Sequence, residues 1–155
     1  MRWLWLILYF ILINGDLKAQ EDSVKLRVVL VGDAGALIEG QASVLDAIRK
    51  NIPLDKKTFV VYLGDNLYDA GLPHETYNRY SDIKAALDSQ INLVKGSAAK
   101  GFMIPGNHDW ENGGVRGLET IIRQQQYVDQ NGEGKIEFYP KQGCPGPIEV
   151  DLGDD

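Results

Sequence analysis

The chain has 155 residues, a formal net charge of −6, 44% hydrophobic and 25% charged residues, one cysteine and two histidines. That length suits one domain at most, and no internal repeat or low-complexity run is visible. The acidic balance argues against a nucleic-acid-binding surface, which needs clustered Lys and Arg, yet it is compatible with a phosphate substrate held through cations on carboxylates.

The N-terminus reads as a separate object. Arg2 precedes an unbroken apolar run from Trp3 to Ile13, which Asn14, Gly15 and Asp16 break before Leu17-Lys18-Ala19 offers a small residue for cleavage. That order is the pattern of a secretory signal. Residues 1–19 are therefore expected to be a signal peptide, with the mature chain starting near Gln20 and exported to a periplasm, a cell surface or the medium. A membrane anchor is the competing reading. Spanning takes roughly 17–25 apolar residues, and this run is shorter, so no transmembrane helix is expected in the mature segment.

From Glu21 onward, short apolar runs alternate with amphipathic stretches. Leu26 to Val31 reads as a strand ending at Gly32-Asp33. Gln41 to Ile52 follows with Val44, Leu45, Ile48 and Ile52 at helical spacing. Phe59 to Leu63 is a second strand, ending at Gly64-Asp65. A long helix is expected from Glu75 to Val94, with a core stripe of Tyr77, Tyr80, Ile83, Leu87, Ile91 and Val94. Phe102 to Ile104 is a third strand, ending at Pro105-Gly106-Asn107, and Leu118 to Val128 a third helix with Ile121 and Ile122 inward. Beyond Asn131 the chain is rich in turn residues, and Ile148 to Leu152 reads as the opening of another strand. The alternation implies an α/β sheet, and continuous apolar strands imply burial on both faces. The lone Cys144 permits no internal disulfide. Its Gly143-Cys144-Pro145-Gly146-Pro147 setting reads as a tight turn holding a structural thiol, the alternative being a partner cysteine outside this sequence.

Each of the three strands ends in a polar cluster: Gly32-Asp33-Ala34-Gly35, Gly64-Asp65-Asn66-Leu67-Tyr68 and Gly106-Asn107-His108-Asp109. Ligands in open α/β sheets bind outside the carboxyl ends of strands, so the clusters should converge on one edge. Glycine there lets the chain leave the strand sharply. Two carboxylates, a phenol, a carboxamide and an imidazole are oxygen and nitrogen donors, which favour hard or borderline metals over a thiolate zinc site. Alone, each cluster could be a turn or a helix cap; three in order at strand ends point to a site.

These blocks resemble the first three of five in the calcineurin-like metallophosphoesterases, and more narrowly the purple acid phosphatase branch. Most of that superfamily carries Asp-x-His in the first block; here Gly35 stands at the histidine position. The second block, Gly64-Asp65-Asn66-Leu67-Tyr68, matches Gly-Asp-x-x-Tyr and supplies a tyrosine instead. The resemblance implies a layered β-sheet core flanked by helices, a partial phosphoesterase fold truncated on its C-terminal side over residues 20–155. It implies two metal ions, iron with a second iron, zinc or manganese. Asp33, Asp65 and Tyr68 would bind the first, Asp65 would bridge, and Asn107 would bind the second. His108 would hydrogen-bond the phosphate-ester substrate or assist its leaving oxygen.

The departure is a shortage of histidine. The family's last two blocks, of the Val-x-x-His and Gly-His-x-His kinds, do not occur here, and His74 and His108 are the only histidines. His74, after Pro73, reads as a surface or helix-start residue. The expected function is metal-dependent phosphoester hydrolysis by a longer parent, with this portion inactive alone. A non-catalytic binding module retaining the fold is the alternative from another class; downstream histidine blocks in the coding sequence would discriminate. A nucleotide-binding domain is disfavoured, because no phosphate-cradling Gly-rich loop precedes a Lys-Ser/Thr pair.

Overall fold

β1 (Arg27–Val31) and β2 (Thr58–Tyr62) are β-branched runs of the kind that suit a packed, pleated surface. The computed structural model describes residues 24–144 and 146–153; the expected signal peptide lies outside the described residues. β3 (Lys100–Met103) and β4 (Ile136–Phe138) complete a four-stranded sheet in the order β1-β2-β3-β4, every neighbouring pair parallel. Three helices connect the strands: α1 (Ser43–Asn51), α2 (Tyr80–Lys95) and α3 (Gly117–Asn131).

The register sets two side-by-side rows on one face of the sheet, Val29-Val60-Gly101-Ile136 and Val31-Tyr62-Met103-Phe138. These residues share one core with Leu45 and Ile48 of α1, Ile83, Leu87, Ile91 and Val94 of α2, and Ile121 and Val128 of α3. Gly101 has no side chain because α2 sits directly on it: a Cβ there would lie 2.9 Å from Val94 Cγ2. All three helices therefore cover the same face. That follows from strand order. Parallel crossovers are right-handed, so a chain adding strands steadily in one direction lays every helix on one side.

The opposite face corrects the expectation of strands buried on both sides. Its rows are Val28-Phe59-Lys100 and Leu30-Val61-Phe102-Glu137. Phe59 and Phe102 stack with centroids 6.1 Å apart. Residues 148–152 lie against Val61, Phe102, Ile104 and Tyr139 around a cavity of about 320 Å³. They cover part of the sheet as extended chain rather than as the expected strand. Nothing among the described residues covers the β1 end, where Val28 is 43% and Leu30 64% exposed.

Other boundaries moved for local reasons. α2 starts at Tyr80, not at Glu75. The preceding residues form successive tight turns, with Tyr77 N–H on His74 C=O at 2.9 Å and Tyr80 N–H on Tyr77 C=O at 2.9 Å. Tyr77 is exposed in consequence, while Tyr80 packs on the core. Val44 of α1 also faces solvent, leaving Leu45 and Ile48 as its buried pair. β4 falls in the turn-rich region and was not anticipated. Cys144, read as a structural thiol in a tight turn, is exposed. Among the described residues no helix is long and apolar enough to cross a membrane.

Candidate metal centre at the carboxyl edge of the sheet

The three clusters do share one edge, because every strand is parallel, although no reversal of strand order marks it. Pairing continues just past the strands: Leu63 N–H bonds Val31 C=O at 2.8 Å, and Ile104 N–H bonds Tyr62 C=O at 3.0 Å. Asp33 and Asp65 then take the same left-handed backbone, with φ of 55° and 51°. Aspartate visits this region more readily than most residues but at a cost, and such backbones gather at functional sites. Gly64 and Gly106 bring the second and third loops into backbone contact; a Cβ on Gly64 would lie 2.6 Å from Gly106 N.

Tyr68 joins the two carboxylates. Its hydroxyl donates to Asp33 Oδ1 at 2.6 Å and lies 3.4 Å from Asp65 Oδ2. The hydrogen bond to Asp33, then desolvation and the charges of Asp65 and Asp33, hold the phenol well above its ordinary pKa. Three oxygen donors thus meet at one point, a set that fits a hard cation. His108 adjoins them. Its ring meets the Tyr68 ring edge-on, centroids 4.5 Å apart, and its backbone N–H donates to Asp65 Oδ1 at 3.1 Å. His108 Nδ1 lies 2.8 Å from the Asp69 carbonyl. A carbonyl only accepts, so Nδ1 carries the proton and Nε2 is left with its lone pair.

Asn107 is anchored by its amide nitrogen, which donates to Asn112 Oδ1 at 2.9 Å. Asp33, Asp65, Tyr68 and His108 are therefore linked directly; Asn107 sits next to His108 in the third loop with its side chain turned to Asn112. His74 bonds locally to Thr76 at 3.0 Å, as expected of a surface residue. Among the described residues no three His, Cys, Asp or Glu side chains gather as a metal site. The cluster has two carboxylates and completes its donors with a phenol.

Gly35 explains how the first block reaches the second without a histidine. A Cβ on it would lie 2.6 Å from Asp65 O and from Leu67 N. The loop carrying Asp65 and Tyr68 therefore occupies the space that a side chain at position 35 would need.

Beneath the cluster lies a buried polar frame to which the sequence reading gave no role. Asp109 is fully buried. Its Oδ2 accepts from Asn66 N–H at 3.0 Å and Gly106 N–H at 2.8 Å. Its Oδ1 accepts from Leu67 N–H at 3.1 Å and Gln124 Nε2 at 3.0 Å. Burial pushes its carboxyl above the ordinary range, against the pull of these donors. Gln90 of α2 donates to the carbonyls of Asn66 at 2.8 Å and Ala34 at 3.3 Å, tying the first loop to the second. The only signal in the sequence was positional: Gln90 and Gln124 are polar residues on the inner stripes of their helices.

Residues 26–148 match a family model described as calcineurin-like phosphoesterase. No curated protein and no solved structure gives a match to this chain.

Proposed function

The chain belongs to the calcineurin-like phosphoesterase family, and we propose that it carries the first half of a dinuclear centre of the purple acid phosphatase type, as the N-terminal portion of a longer, exported hydrolase. Metal-dependent hydrolysis of phosphoesters is the chemistry of this family. The observation that carries the narrower reading is the meeting of Asp33, Tyr68 and Asp65 oxygens at 2.6 and 3.4 Å, beside a glycine at position 35. The tyrosine takes up the coordination that a first-block histidine would otherwise provide.

Asp33, Asp65 and Tyr68 would hold one ion, ferric iron being the choice that suits a phenolate. Asp65 and the Asn107 side-chain oxygen would begin a second site for iron, zinc or manganese. Bound there, such ions would supply Lewis-acid stabilisation of the phosphoryl charge and an activated water. The chain's own residues prepare that chemistry. Tyr68 must give up the proton it now shares with Asp33 to become an anionic donor. His108, whose Nδ1–H is held by the Asp69 carbonyl, would take a second proton at Nε2 and, as the imidazolium, donate it to a substrate oxygen or the leaving oxygen.

A second reading, a non-catalytic module retaining the fold, is favoured by the shortage of donors. The test is metal analysis of the 155-residue chain after dialysis, with a chromogenic phosphate-ester assay. We expect weak, exchangeable metal, because two protein donors on a second ion leave most positions to water. We expect no turnover above background, and aggregation through Val28 and Leu30. Two tightly held metals with turnover abolished by Asp65→Asn would show the site to be complete as it stands. The same assay on a longer parent decides between enzyme and module: turnover lost in Asp65→Asn supports the enzyme, and none at all supports the module.

A further inference from the structure

The loop from Asp69 to Tyr77, the start of α2 and the first half of α3 enclose a cavity of about 620 Å³. It adjoins the candidate centre through Asp69, which follows Tyr68 and whose carbonyl accepts the His108 Nδ1 proton. Arg79, Arg116 and Arg123 line it, with Asp69, Glu111 and Glu119 as the acids. These charges balance in number but are not equally engaged. Arg116 is spent on Glu111, bonding Oε1 through Nη2 at 2.6 Å and Nε at 3.0 Å. Arg79 reaches Asp69 only at 3.7 Å, with both side chains more than half exposed; such a pair is weak in water and opens readily.

Arg123 differs from both. It is half-buried and forms no ion pair among the described residues, Glu119 one turn away included. One N–H of its guanidinium donates to the Leu72 carbonyl. That bond fixes the planar fork while leaving the remaining donors for another partner. A half-buried guanidinium in no ion pair, tethered to the cavity wall by one hydrogen bond, is suited to an oxyanion.

We propose that this cavity receives a second oxyanion, phosphate or carboxylate, on the leaving-group side of the phosphoester substrate, with Arg123 as fixed donor and Arg79 turning to it from Asp69. The substrate role rests on the phosphoesterase reading; the anion site itself does not. Its test therefore uses the metal-free full chain, labelled with nitrogen-15, kept dilute enough to stay monomeric, and titrated with inorganic phosphate and, separately, with succinate. Saturable amide shifts are expected around Gly71, Arg79 and Arg123, and the tighter of the two probes identifies the group. Arg123→Gln should weaken binding at least about ten-fold, the loss of one charge-assisted hydrogen bond. Arg79→Gln, at an exposed side chain that the fold does not need, should weaken it several-fold, and Arg49→Gln on α1 should change nothing. A metal centre that fails to form would remove the substrate role and leave this anion site standing. Affinities for both probes that are unchanged in Arg123→Gln and Arg79→Gln, or shifts spread over every basic residue, would overturn the proposal.

Discussion

Asp109→Ala is expected to destabilise the domain more than any other single change near the site, by about 3–5 kcal/mol. The carboxylate is fully buried and accepts from Asn66 N–H, Leu67 N–H, Gly106 N–H and Gln124 Nε2. Removing it orphans four donors, each costing about 1–3 kcal/mol when left dry. Water entering the vacated space keeps the sum below the simple total. Asp109→Asn should fall between, because its NH₂ group must face donors at one of the two oxygen positions. Denaturant melts of the three proteins check this. An Asp109→Ala midpoint close to the parent's would mean that the second and third loops hold their shape without the carboxylate.

Gly35→Ala should cost about 2–3 kcal/mol, at the upper end of ordinary overpacking. The atoms in its way are backbone atoms, Asp65 O and Leu67 N at 2.6 Å and Asn66 C at 2.8 Å, which no rotamer change can clear. The loop is also pinned from below by Asp109 and Gln90. Relief must come from lifting Asp65 and Tyr68, which would pull the phenol off Asp33. Restoring a histidine at position 35 meets the same obstruction, so the tyrosine arrangement and the glycine belong together. A denaturant melt of Gly35→Ala, read beside Tyr68 accessibility to iodination, separates the outcomes. Parent-like stability with an unchanged Tyr68 would contradict the close approach.

The parts of this molecule that could be read in the sequence are those with a strong local period. β1, β2, β3 and the inner stripes of α2 and α3 announce themselves through Val28 to Val31, Val60 and Val61, and Ile83-Leu87-Ile91. β4 did not, because three residues, Ile136-Glu137-Phe138, among turn residues carry too little pattern to stand out. Strand order is non-local, so the face at Val28 and Leu30, uncovered among the described residues, was invisible in an apolar run that looked the same on both sides. The cluster of Asp33, Asp65 and Tyr68 was legible through their places after strands. The frame that sets them was not. Asp109 looked like one more polar loop residue, and its burial depends on α3 delivering Gln124 from 15 positions away.

Asp33, Asp65 and Tyr68 are proposed to form one hard-metal site. Titration of the chain with ferric iron, followed in the visible range, tests it most directly. A phenolate bound to ferric iron gives a charge-transfer band, and binding should release the Tyr68 proton now shared with Asp33. That band is expected in the unsubstituted chain and should be lost in Tyr68→Phe, with the two far-ultraviolet spectra unchanged. A band of equal strength in Tyr68→Phe, or bound iron with no band in the parent, would contradict it.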